Sequence, residues 1–184
     1  MLHNMSVTNR HFTLFVVSIS LHLLSFSLFV RARSTVVRGP ISADFQAWLQ
    51  GGYASWAAKF KRSDLGVFGS FGGKTSPQER LTKSPVIFVH GNSDLALNPG
   101  TGNPYQTGWT KSIHYFMEKG YSPAELYATT WGPAKDADAT EQVHSCDYLL
   151  TLRKFVEAVM AYTQATNISI ISHSMGVTLG NINA

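Results

Sequence analysis

Three short apolar runs alternate along the chain with stretches of helical spacing. Val86-Ile87-Phe88-Val89 is uninterrupted and ends in His90-Gly91. That is the pattern of a parallel strand buried on both faces, delivering a loop at its C-terminal end. Residues 92–108 are rich in Gly, Asn, Pro and Ser and read as loop. Residues 109–119 place Ile113, Phe116 and Met117 on one helical face, and Gly120 closes the helix. Residues 126–130 read as a second strand and 131–139 as loop. Residues 143–165 predict a long amphipathic helix with Leu149, Leu152, Val156, Val159 and Met160 on its core-facing stripe. Residues 168–171 predict a third strand, and a helix starts near Ser174. Strands alternating with helices define an α/β architecture around a parallel sheet.

Ahead of this pattern the chain is shorter in period and richer in turns. Phe45, Trp48 and Leu49 suit a short helix ended by Gly51-Gly52, and residues 53–60 suit a second. Gly66, Gly69, Gly72 and Gly73, interleaved with Phe68 and Phe71, predict an irregular loop packed down by aromatics. Earlier still, Arg10 and His11 precede an apolar run over residues 12–30. A basic start followed by an apolar stretch reads as a signal peptide with its border near Ala32 or Ser34. The run is also long enough for a retained membrane anchor. The expected organisation is thus a leader over 1–32, a short-helical segment over 33–84, and an α/β core over 85–184. Three strands are few for such a sheet, and its edges would lack neighbours. The core is therefore expected to be a partial one, with further strands beyond residue 184.

Charge narrows the function classes. The net charge is +4, but residues 33–84 carry +5 and residues 85–184 carry −3. The basic residues are dispersed among Gly, Ser and aromatics, which argues against a nucleic-acid face. Cys146 is the single cysteine, either a buried thiol or one whose partner lies elsewhere. The triplet Asn167-Ile168-Ser169 is an N-glycosylation sequon, but its place at the mouth of a central strand argues against its use. No cluster of residues has metal-ligand spacing, and no cofactor is implied. Gly69-Ser70-Phe71-Gly72-Gly73-Lys74-Thr75 lacks the spacing and the feeding strand of a phosphate loop.

The chemistry lies in Ser172-His173-Ser174-Met175-Gly176, which follows the third apolar run. A nucleophile elbow needs small residues two before and two after its serine, because the turn is too sharp for larger ones. Ser172 and Gly176 meet that need. Ser174 would stand at a helix start, its hydroxyl above the sheet and the Met175 N–H ready for a developing oxyanion. A plain helix N-cap is the other reading of Ser174. A second oxyanion donor is expected from the Asn92 N–H, where Gly91 lets the backbone turn closely. An ordinary Asx turn over residues 92–94 is the alternative. His90 is expected to anchor that loop, with general base as its other reading, and His173 to point away from the nucleophile. His114 and His144 read as surface or packing residues. Hydrolases of this kind order their triad Ser, then Asp or Glu, then His. Residues 175–184 hold neither an acid nor a histidine, and Asp94, Asp136, Asp138 and Asp147 all precede the serine.

These motifs resemble the class 2 lipases of nematodes, which are related to small bacterial lipases of the α/β-hydrolase superfamily. The likeness runs from Gly39 to about Leu179. It includes Arg62-Ser63-Asp64-Leu65-Gly66, Pro85-Val86-Ile87-Phe88-Val89-His90-Gly91-Asn92-Ser93-Asp94, Glu125-Leu126-Tyr127-Ala128-Thr129-Thr130-Trp131-Gly132 and the elbow. The resemblance implies an α/β-hydrolase fold and a secreted triacylglycerol lipase or carboxylic ester hydrolase, working through a serine acyl-enzyme without a cofactor. It makes Ser174 the nucleophile and puts the oxyanion at Asn92 and Met175, with His90, Gly91, Ser172 and Gly176 in support. The acid and base fall beyond residue 184, as does a partner for Cys146. Acylglycerols or other ester lipids are the implied ligands, with a lipid surface as a possible contact. The rival expectation is a catalytically inactive lipid-binding fragment, secreted or membrane-anchored.

Overall fold

The computed structural model describes residues 36–181, so the expected leader lies outside the described residues. No helix among the described residues is long and apolar enough to cross a membrane.

Four strands make one mixed sheet in the order β1-β3-β2-β4. They are β1 (Ser70–Phe71), β2 (Val86–Val89), β3 (Leu126–Thr129) and β4 (Ser169–Ser172). The three strands expected from apolar runs are present and parallel: Ile87 pairs with Tyr127 on one side and Ile170 on the other. β1 corrects the loop expected around residues 66–73. It runs antiparallel to β3, with Ser70 opposite Thr129. Two residues are too few to show a period, so pairing with a distant strand decides the conformation. Gly72 makes the close approach possible, since a Cβ there would sit 2.1 Å from the Leu126 carbonyl oxygen. β4 departs from the pattern of a buried strand. β2 and β3 are buried at every position, whereas β4 lies at the end of the strand order with Ser169 exposed and the rest half-buried.

Alternation along β2 builds two core layers. Ile87 and Val89 face one cluster with Phe45, Leu49, Phe60, Leu152, Phe155 and Val159. Val86 and Phe88 face the other, with Phe71, Leu97 and Ile113. Helices α1 (Ala43–Gly52), α2 (Ala54–Lys61) and α4 (Cys146–Thr163) cover the first face, and α3 (Thr110–Glu118) covers the second. Burying each large side chain contributes roughly 1.5–3 kcal/mol. Phe45 is the hub of the first layer, stacked on Tyr162 at 4.5 Å and edge-on to Tyr127 at 5.7 Å. Phe45, Leu49 and Phe60, from ahead of β2, thus share one core with Leu152, Phe155 and Val159 from beyond it.

The helix boundaries follow their caps. Ser145 accepts from the Tyr148 N–H and starts α4 there, while Gln164 ends it at φ 56°. Leu152, Val156 and Val159 of the expected stripe are buried, and Leu149 and Met160 pack beside them. Cys146 opens this helix and is exposed, which corrects the buried-thiol reading. Residues expected as loop also form two 3-10 helices, Ser63–Phe68 and Asp136–Glu141.

Candidate active site

β4 ends at Ser172, and helix α5 (Met175–Asn181) begins three residues later. Between them the chain reverses within His173 and Ser174. The His173 N–H donates to the Val89 carbonyl at 3.1 Å, so the turn stays tied to β2. Ser174 adopts φ 52°. A non-glycine residue in the left-handed region costs on the order of 1–3 kcal/mol and persists only where its surroundings enforce it. Here the helix enforces it from one side: the Gly176 N–H donates to His173 O at 2.9 Å and the Val177 N–H to Ser174 O at 2.8 Å. Packing enforces it from the other. A Cβ on Gly176 would lie 2.3 Å from the His90 carbonyl oxygen and 2.8 Å from that of Val89. Gly176 is therefore required by space. Ser172 is half-buried, with its Oγ 3.5 Å from where a Cβ on Gly180 would stand.

The loop after β2 meets this turn. A Cβ on Gly91 would lie 3.0 Å from Ser174 Cβ and 3.1 Å from His173 Nδ1. Gly91, Asn92, Asp94, Tyr105, Asp136 and Ser174 line one cavity of about 420 Å³, and Ser174 is exposed to it. His173 lines the same cavity. The Asn92 amide donates to Ala139 O at 2.6 Å and receives the Ser93 hydroxyl at 2.9 Å, fixing the loop across the cavity wall. Asp94 is buried and accepts from the N–H groups of Leu95 at 2.7 Å and Gly108 at 3.1 Å. Burial pushes its carboxyl above the usual carboxylate range, and those two N–H groups oppose the rise. Met175 opens α5, so its N–H has no acceptor within the helix.

His90 is 1% exposed and has both ring nitrogens engaged. Nδ1–H donates to Gly91 O at 2.7 Å, while Nε2 accepts from the Trp131 N–H at 3.0 Å. This pattern assigns the neutral Nδ1–H tautomer. The ring lies flat on the Trp131 indole, 5.1 Å between centroids and 3° between planes. Burial lowers its pKa to about 4. His90 is therefore an uncharged strut beneath the loop. His114 stands 3.5 Å from Glu118 on α3, and His144 is exposed ahead of α4.

One support escapes a sequence reading. Arg62, at φ 50°, donates from Nη1 to the carbonyls of Thr130 and Gly132, both at 2.8 Å. Its other nitrogens grip the Asp64 carboxylate at 2.7 and 2.9 Å. Hydrogen bonding by this guanidinium, the largest influence, holds Asp64 below its ordinary pKa. Arg62 thereby fixes the segment on either side of Trp131, which in turn holds His90. The Arg62-Ser63-Asp64 motif marked the residues but not their distant acceptors. Among the described residues, no group of three His, Cys, Asp or Glu side chains is placed to hold a metal ion.

An exposed serine on a strained turn between a parallel strand and a helix, facing a glycine-containing loop from the next strand, is a site of α/β enzymes. The family model for class 2 lipases matches residues 83–181, and the chain belongs to that family. The match covers β2, both cavity loops, β4 and α5. No curated protein matches the chain significantly.

Proposed function

We propose that the chain is an ester hydrolase of acylglycerols in which Ser174 is the nucleophile. Membership of the class 2 lipase family supports hydrolysis of ester lipids. The observation that carries the role of Ser174 is its left-handed backbone, with Gly176 packed against the Val89 and His90 carbonyls beneath it. A mere N-cap does not need that strain. Ser174 Oγ attacks the ester carbonyl carbon and its proton passes to a base. The carbonyl oxygen, now negative, faces the Met175 and Asn92 N–H groups. The C–O bond to the alcohol then breaks, the alcohol takes the proton, and water later frees the fatty acid. Each oxyanion donor in such a site is worth about 3–4 kcal/mol of barrier. His90 is not the base, because both ring nitrogens are committed. The proposed destination is the secretory route, carried by the basic start and the apolar run over residues 12–30.

A second reading, an inactive lipid binder, draws on the committed state of His90, which leaves Ser174 without that imidazole. Hydrolysis of a short-chain p-nitrophenyl ester and labelling by a fluorophosphonate test both readings. Turnover and labelling in the wild type, both lost in Ser174→Ala, establish the enzyme. Equal lipid binding by the two proteins with no hydrolysis by either establishes the binder.

A further inference from the structure

The catalytic reading leaves one sequence motif unused, and the structure changes its meaning. Asn167-Ile168-Ser169 was expected to be closed off at the mouth of a central strand. Instead it lies in an open turn. Helix α4 ends at Thr163, Gln164 reverses the chain at φ 56°, and Thr166, Asn167 and Ser169 are all exposed. The chain is extended as it enters β4, so alternate residues face opposite ways. Ile168 packs against the first core layer, while Ser169, paired with Val86, lies on the other face of the sheet; it and Asn167 are both exposed. The Asn167 amide makes a single long contact, 3.4 Å to Thr166 Oγ1. Folding therefore does not consume the group that a modification needs, and Asn167 stands exposed.

We propose that Asn167 carries an N-linked glycan. The Asn167 amide nitrogen bonds to the anomeric carbon of an oligosaccharide carried on a polyprenyl pyrophosphate. The bond from that carbon to the pyrophosphate oxygen breaks, polyprenyl pyrophosphate leaves with the electron pair, and one amide proton is released. Nothing is oxidised or reduced. Ser169 supplies the hydroxyl that the acceptor triplet requires. Position makes the modification compatible with the active site. Asn167 precedes β4 and Ser174 follows it, so about 13 Å of extended chain separates the two ends. The glycan leaves the opposite pole from the cavity beside Ser174.

The proposal rests on the secretory destination proposed above, and the experiment separates the two. The full chain is expressed in a eukaryotic secretory cell, and its gel mobility is compared before and after peptide N-glycosidase. Protease protection of intact microsomes reports whether the folded part is lumenal. The expected result is one glycosidase-sensitive shift, lost in Asn167→Gln and Ser169→Ala and retained in Ser169→Thr. Asn4-Met5-Ser6 is another N-x-S triplet, ahead of the apolar run; Asn4→Gln is expected to leave the shift intact. Ester hydrolysis is expected to be equal before and after deglycosylation. A protected, lumenal protein without the shift overturns Asn167 as the acceptor, as does a shift surviving both Asn167→Gln and Ser169→Ala. A chain digested on the cytosolic side overturns the secretory destination, and the glycan with it.

Discussion

Replacing His90 by glutamine isolates what it costs to keep one imidazole neutral inside the fold. Burial holds His90 at a pKa of about 4, against an ordinary 6.5. Between those values the unfolded chain binds a proton that the folded chain refuses. The stability contributed by the neutral ring is therefore complete above pH 6.5 and lost as pH falls toward 4, below which it declines no further. At 1.36 kcal/mol per pH unit this interval is worth about 3 kcal/mol. That is a large fraction of the roughly 5–15 kcal/mol that separates folded from unfolded domains. Glutamine retains an acceptor for the Trp131 N–H but loses the stacked ring and the bond to Gly91, an offset of about 1–3 kcal/mol that does not vary with pH. Urea unfolding followed by tryptophan fluorescence, at steps from pH 7.5 to pH 4, gives the difference between wild type and variant. Titrations common to both proteins cancel in that difference. It is expected to shrink by about 3 kcal/mol across the window. A difference that stays constant would mean that the native ring accepts a proton freely, and would refute the strut.

Gly176→Ala places a Cβ 2.3 Å from the His90 carbonyl oxygen. The turn must shift, at a cost of about 1–3 kcal/mol by thermal unfolding, and hydrolysis falls; an unchanged melting curve and rate would contradict the packing argument. Glu125 is buried, which pushes its carboxyl up, but N–H groups of Ser122, Thr82 and Lys83 outweigh burial and leave its pKa below the ordinary value. Glu125→Gln is expected to cost roughly 1–3 kcal/mol at neutral pH. That penalty fades as pH drops through the wild-type carboxyl's lowered pKa, measured by denaturant titration at several pH values. Arg62→Lys keeps the charge but loses the planar fork that reaches both Asp64 and the Thr130 and Gly132 carbonyls. It is expected to lower stability by about 1–2 kcal/mol and to slow hydrolysis more than it weakens substrate binding, read as a fall in kcat with KM nearly unchanged.

What the chain discloses in sequence is what its local pattern can encode. β2, β3 and β4 are legible because apolar runs of strand length end in turn residues. The sharp turn at Ser174 is legible because its size constraints fall within five consecutive residues. β1 is not, because two residues carry no periodicity and their conformation comes from β3. The half-exposed state of β4 is equally hidden, since an apolar run does not report its rank in the sheet. The bonds from Asn92 to Ala139 and from Arg62 to Thr130 and Gly132 join segments far apart in the chain. They leave no mark in residue spacing. The openness of the Asn167 turn likewise depends on where α4 stops, a matter settled by tertiary packing.

The strand order also governs how the molecule can be born. Synthesis runs from the N-terminus, yet β1 must wait past β2 for its partner, and β2 must wait past β3 for its second. Ser70 waits for Thr129, and Val86 waits first for Leu126 and then for Ser169. The fully apolar Val86-Ile87-Phe88-Val89 therefore leaves the ribosome with both of its edges unpaired. Non-local pairing of this kind is slow and exposes sticky edges while it is awaited. During that wait a fully apolar segment stands open that ends buried at every position and paired on both sides.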